Sequence, residues 1–150
     1  MDDKKDMLDI VLDELKDDLI RIEKLIGGTI HLRADRIGES FRVWRTRDAE
    51  IAYDYVIAGF VLHPMDACPW VVSSSGSYVS STYQGKRVGS TLHNIRLRGL
   101  RKANVKVLLC TTNDKNAPQT AILLRNGWQT VSRFANSITK EAITLWKKEL

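Results

Sequence analysis

Apolar positions recur at helical spacing over the first 28 residues and at strand spacing thereafter. Leu8, Val11, Leu12, Leu15, Leu19, Ile22 and Ile26 form one stripe, which predicts a single N-terminal amphipathic helix ended by Gly27-Gly28. Asp2 and Asp3 complement its positive end and Lys24 its negative end. Its acidic outer face is expected in solvent, with the stripe packed on the chain's own sheet; a homodimer seam is the other use of such a stripe.

The texture then turns to β. "TIHLRA" (Thr29–Ala34) is a weak strand, "FRVWRTR" (Phe41–Arg47) a half-exposed one, and "IAYDYVIAGFVLH" (Ile51–His63) a central one, with Asp48-Ala49-Glu50 as a turn. "PWVVSSSGSYV" (Pro69–Val79) is a strand whose serines and Gly76 suggest a bulge or a close ligand approach. From Val88 to about Ala103 the period is helical, with Val88, Leu92, Ile95 and Leu100 inward and Arg96, Arg98, Arg101 and Lys102 outward. A buried strand "VKVLLCTT" follows, then a helix that Asn116 caps and Gly127 ends, with Pro118 in its first turn. "WQTVSRF" and "ITLWKKEL" close the chain as a hairpin. This order predicts an α/β (α+β) layering on a mixed, mostly antiparallel sheet flanked by helices.

Composition narrows the class. A chain of 150 residues, 43% hydrophobic and 27% charged, fits one globular domain. No apolar run is long enough for a membrane span, and the acidic N-terminus lacks the order of a signal peptide, so a cytoplasmic chain is expected. Cys68 and Cys110 make no metal-ligand spacing, no metal is expected, and Cys110 reads as a buried small residue. Residues 1–26 carry nine acidic and five basic side chains, whereas the remainder carries nine acidic and eighteen basic, a net +9. A basic body attracts phosphates, acidic proteins or nucleic acid. The basic residues are spread over several elements, which weakens a nucleic-acid reading.

The chemistry concentrates at Gln84-Gly85-Lys86-Arg87-Val88-Gly89-Ser90. A strand that turns through glycines into a helix start presents unsatisfied N–H groups to a phosphate. This turn, the buried strand after it, and the pair of Asn116 with Gly127-Trp128 at the ends of the next helix resemble the GNAT superfamily of N-acetyltransferases. The likeness covers Trp70 to the C-terminus, with residues 70–128 as the acyl-CoA-binding core of a single domain. The family signature, Gln/Arg-x-x-Gly-x-Gly/Ala, falls on Gln84 to Gly89, with Arg87 where the first glycine is expected. Arginine in place of glycine is tolerable there if the residue keeps a negative φ, but it could narrow the backbone's approach.

The resemblance implies acetyl-CoA or another acyl-CoA as co-substrate. Gly85, Lys86, Arg87, Val88, Gly89 and Ser90 would hold its pyrophosphate, and Gln84 belongs to the same turn. The pantetheine arm would lie where Ser73–Val79 and Leu108–Thr112 splay apart, reached by Asn116. The family's customary proton-handling groups are missing: the serine-rich strand holds no carboxylate between Pro69 and Gln84, and Leu123 stands where a tyrosine acid is usual. Substitutes are Tyr83, Tyr78 or a serine hydroxyl as acid, and His63, Asp66 or Asp54 as base, with His63 and Asp66 flanking a loop "HPMDACPW".

The leading expectation is therefore an acyl-CoA-dependent N-acetyltransferase acting on a primary amine of a small molecule, a protein or a modified nucleotide. The alternative is a GNAT-fold protein of weakened catalysis that binds a partner, with or without CoA. The ending "RFANSITKEAITLWKKEL" and Leu123 also resemble bacteriophage-encoded members, for which a host protein would be the target.

Overall fold

A computed structural model describes residues 5–150. The chain forms two compact units, Met1–Leu62 with Gly76–Asn104, and His63–Ser75 with Val105–Leu150.

In the first unit the N-terminal stripe forms two helices, α1 (Met7–Asp17) and α2 (Leu19–Ile26), instead of the one expected. Asp6 caps α1 by accepting from the Leu8 amide at 3.4 Å, and Asp2 and Asp3 lie outside the described residues. The break falls at Asp18, whose amide donates back to the Leu15 carbonyl at 3.3 Å and whose carboxylate accepts from Arg98 Nη2 at 2.9 Å. An aspartate with that anchor competes with the helix ladder for its own backbone. Gly27, at φ +131°, ends α2. Leu8, Val11, Leu15, Ile22 and Ile26 are buried, while Leu12 and Leu19 are half-buried.

The strands of this unit are β1 (Leu32–Ile37), β2 (Ser40–Arg45), β3 (Tyr55–Met65) to Leu62, and the end of β4 (Cys68–Val79). β1 pairs antiparallel with β2, and β2 with β3. Leu32, Ala34, Phe41, Val43, Ala58 and Phe60 are buried, and the Phe41 and Phe60 rings stack at 4.8 Å. The expected start of the third strand at Ile51 is corrected to Tyr55, because Asp48 ties up residues 48–51 in a turn.

Helix α3 (Val88–Lys102) buries Val88, Leu92, Ile95 and Leu100 as expected. It corrects the expectation for Arg96, which is buried rather than outward. It also corrects the fully solvated acidic face of α1. Glu14 is buried and accepts from Arg98 Nε at 2.5 Å and from Lys102 Nζ. Lys102 first, then Arg98, holds the Glu14 carboxyl below its ordinary value of 4.5. A depressed folded-state value contributes stability that is complete above about pH 4.5 and lost as pH falls through the folded value. Glu14→Gln is therefore expected to cost about 1–3 kcal/mol at pH 7, and the gap to the wild type to narrow progressively in urea melts as pH falls below about 4.5. A gap that stays constant with pH would refute this assignment.

The second unit holds the start of β4, β5 (Val107–Asn113), α4 (Ala117–Arg125), β6 (Gln129–Ala135) and β7 (Ala142–Glu149). β4 pairs parallel with β5 over Val71–Ser74 and Val107–Cys110. β7 lies between β5 and β6 and is antiparallel to both. Trp146 is buried and donates from Nε1 to Thr112 Oγ1 at 2.8 Å. All seven residues of β6 are exposed. Cys110 is half-buried rather than buried, and neither cysteine forms a disulfide. The segment expected as a loop around Asp66 is strand on both sides of a turn at Asp66-Ala67, with Ala67 at φ +59°.

The hydrogen-bonded strand order is β1-β2-β3-β4-β5-β7-β6, with β4 shared by the two units. This is the expected mixed, mostly antiparallel sheet with flanking helices. Among the described residues no helix is long and apolar enough to cross a membrane, and none group as three or more metal-ligating side chains.

Candidate functional site

The glycine turn follows a part-buried polar triad of Tyr83, Arg45 and Tyr55. After β4 comes one 3-10 turn, Ser81–Tyr83, and Tyr83 is only 3% exposed. Its hydroxyl accepts from Arg45 Nη1 at 2.8 Å and lies 2.8 Å from the Tyr55 hydroxyl. Arg45 also donates to Asp48 Oδ2 at 3.1 Å. The bond to Tyr83 above all, with that to Asp48, raises the guanidinium pKa further; burial, then Tyr83, raises that of Tyr55. Tyr83, a candidate acid, thus has its hydroxyl engaged with two side chains.

The turn itself is open. Gln84 Nε2 donates to the Val79 carbonyl at 2.9 Å, closing the ends of the loop. Gly85 sits at φ +76°, and a Cβ placed there would meet nothing within 4 Å; conformation, not crowding, asks for glycine there. Lys86 and Arg87 are exposed. Arg87 is the residue preceding α3, at φ 65° and ψ 15°, and no side chain caps the helix. The condition of a negative φ is thus not met: the turn holds an arginine in the left-handed region that favours glycine. The left-handed conformation costs a non-glycine residue about 1–2 kcal/mol, part of which glycine returns through its freer unfolded chain. Arg87→Gly is expected to raise stability by about 0.5–1 kcal/mol in urea; a loss of stability would show that the Arg87 side chain holds the turn.

Gly89, in the first turn of α3, has room for a Cβ at 3.7 Å from Val79 Cγ2. The first-turn amides of an uncapped helix, with its dipole, favour an anion. The turn therefore fits a phosphate group on its own geometry.

The end of β4 in this unit carries the remaining features. The ladder to β5 stops at Ser74 while β4 runs on to Val79, and Gly76, at φ +61°, interrupts the strand. Ser77 is exposed, yet its Oγ accepts from Nη1 of the buried Arg96 at 2.9 Å. Arg96 Nη2 lies 2.9 Å from Nδ1 of the buried His93, and the guanidinium lies 5.3 Å from the Phe60 ring centroid. An arginine can only donate, so that His93 nitrogen is the acceptor and the ring carries its proton on Nε2. Tyr78 lies against Gly59, where a Cβ would come within 3.1 Å of Tyr78 Cε1; burial raises its hydroxyl pKa. Asp54, the third candidate base, accepts from the Arg47 amide at 2.8 Å and from Arg33 Nε at 3.4 Å, and the Arg47 bond foremost lowers its pKa.

In the second unit, His63 Nε2 lies 3.1 Å from Ser75 Oγ, both side chains exposed. Asp66 is exposed in the turn at the tip of the same strand pair. Asn116 caps α4, its Oδ1 accepting from the Gln119 amide at 3.2 Å. Leu123 is fully buried, and its carbonyl receives the Trp128 amide at 3.1 Å past Gly127 at φ +74°.

Arg45 and Tyr55 were not singled out by sequence, Ser77 only as one of several small side chains beside the arm, and Arg96 only as an outward residue. A signal existed for Arg96, since Leu92, Arg96 and Leu100 recur every four residues on the buried stripe.

No protein-family model matches the chain, and no curated protein matches it by sequence. Solved structures do. A GNAT family acetyltransferase from Elizabethkingia anophelis with acetyl-CoA bound superposes at a TM-score of 0.62 with 13% identity, covering 81% of this chain and 98% of that one. An acetyltransferase from Bacillus subtilis in complex with CoA gives 0.60 and 11% over 81% and 99%. The ribosomal-protein-S18-alanine N-acetyltransferase from Escherichia coli gives 0.58 and 12% over 97% and 90%. With the strand order and the glycine turn already described, these likenesses establish that the chain has the fold of the GNAT N-acetyltransferases.

Proposed function

We propose that the chain is an acyl-CoA-dependent N-acetyltransferase that moves an acetyl group from acetyl-CoA to a primary amine. The observation that carries this reading is the exposed turn Gln84–Ser90, left-handed at Gly85 and Arg87, feeding the uncapped start of α3. Its amides and the Lys86 and Arg87 side chains suit the pyrophosphate of CoA. Val79 and Gln84 shape the turn, and the open end of β4 offers strand-type hydrogen bonds to an amide-bearing arm. Asn116, which caps α4, is carried in this reading as a candidate cofactor residue.

The acyl group arrives activated as a thioester; the chain's part is to orient it and to handle the amine's proton. His63, whose ring is oriented by Ser75, suits the base, directly or through water, with Asp66 as the alternative on the same strand pair. Tyr83 remains the tyrosine nearest the turn in sequence, and its bonds to Arg45 and Tyr55 suit it better to holding the turn than to giving up a proton.

Differential scanning fluorimetry with acetyl-CoA tests the reading, because a ligand selective for the native state raises the melting temperature. Absence of a shift at millimolar acetyl-CoA would reject it. Leu123 buried where an acid is customary favours a second reading, a CoA-binding protein without turnover. Thiol release from acetyl-CoA in the presence of a mixed amine pool separates the two.

A further inference from the structure

The buried guanidinium of Arg96 ends at a hydroxyl on the open part of β4. Its Nη1 donates to Ser77 Oγ at 2.9 Å, so the serine oxygen is already an acceptor and its own proton is free to turn outward. Arg96 is held from behind by His93 Nδ1 and by the Phe60 ring. Ser77 is exposed, two residues before β4 ends and beyond the last residue paired with β5. β4 leads through the single 3-10 turn Ser81–Tyr83 into the glycine turn, and Gln84 Nε2 bonds back to the Val79 carbonyl at the end of the strand, so an arm anchored at Gly85–Ser90 and laid back along the strand passes Ser77.

We propose that Ser77 Oγ, charged by Arg96, is the hydrogen-bond donor that receives the sulfur of CoA as a thiolate. This rests on the reading of the turn as a CoA site. It accounts for a chain with leucine at the position of the customary acid. A departing thiolate needs either a proton or a charge to meet it, and a cation kept behind a hydroxyl supplies the second. Ser77 keeps its proton throughout. The bond broken is C–S, whose electron pair goes to sulfur, the bond formed is C–N, and the proton shed by the amine goes to the base or to water. Arg96 acts through Ser77 and is a positioning residue.

The test needs no acceptor. The thiol of CoA bound to the full chain is titrated by its ultraviolet thiolate absorbance, taken as the difference from the desulfo-CoA complex so that Cys68 and Cys110 cancel. A cation behind the donor lowers the thiol pKa, and about tenfold more thiolate is expected at a given pH than for free CoA. Ser77→Ala returns the titration to that of free CoA in a chain that still melts cooperatively and still binds CoA, while Ser77→Thr keeps the shift. Arg96→Lys, which preserves the buried charge but not the fork, shrinks the shift without unfolding the chain. A bound thiol that titrates like free CoA in the wild type, or a shift that survives Ser77→Ala, overturns the assignment and leaves the CoA site standing. Failure of CoA to bind the wild type overturns both.

Discussion

Gly99→Ala lowers the stability of the chain by about 1–2 kcal/mol net, against the sign that helix propensity alone would give. Alanine in place of glycine inside a helix is normally worth about 1 kcal/mol in its favour. At Gly99 the added Cβ would stand 2.9 Å from Val11 Cα and 3.1 Å from Val11 Cγ2, and backbone cannot step aside as a side chain does. Overpacking of this kind costs about 1–3 kcal/mol, and pushing α1 away also loosens Glu14 from Arg98 and Lys102. For a chain of this size the melting temperature falls by about 2–4 °C per kcal/mol. Gly99→Leu is expected to abolish cooperative melting. An alanine variant as stable as the wild type, or more so, would show that α1 and α3 are not in close contact at this point.

Gly89→Glu should move two observables in opposite directions. A carboxylate in the first turn of α3 complements the helix dipole by about 0.3–1 kcal/mol, and glutamate is the better helix former. The site admits a Cβ at ordinary contact distance. The ligand-free variant is therefore at least as stable as the wild type. Acetyl-CoA at a hundred times its dissociation constant stabilises the wild type by about 2.7 kcal/mol, a rise of about 5–11 °C. In the variant the carboxylate occupies the anion's place, and the rise disappears. General damage cannot produce that combination; a variant that keeps the wild-type rise would remove the pyrophosphate from this turn.

Periodicity conveyed the fold well because most of its elements are single-faced. Val88, Leu92, Ile95 and Leu100 were readable as a buried stripe, and the Asn116 cap and Gly127 stop carried their own chemistry. Three of the misses share a cause, since each depends on at least one partner far away in the chain. Asp18 breaks the first helix with Arg98 as its anchor, 80 residues on. Glu14 is buried because Arg98 and Lys102 meet it, and Arg96 because His93, Ser77 and Phe60 do. Local pattern treats such side chains as solvated. The turn before α3 was legible by its glycines, but not that Arg87 would accept left-handed backbone angles, a choice the turn's geometry makes and the residue's propensity opposes.

The insertion of β7 between β5 and β6 bears on aggregation. One strand supplies the ladder for both its neighbours, so any opening of β7 leaves β6 with nothing to pair with in the sheet. A seven-residue strand with Val131 and Phe134 at its surface is then an open template for another chain. Local opening of residues 142–149, more than global unfolding, thus sets how readily this chain passes from its native sheet to an aggregate.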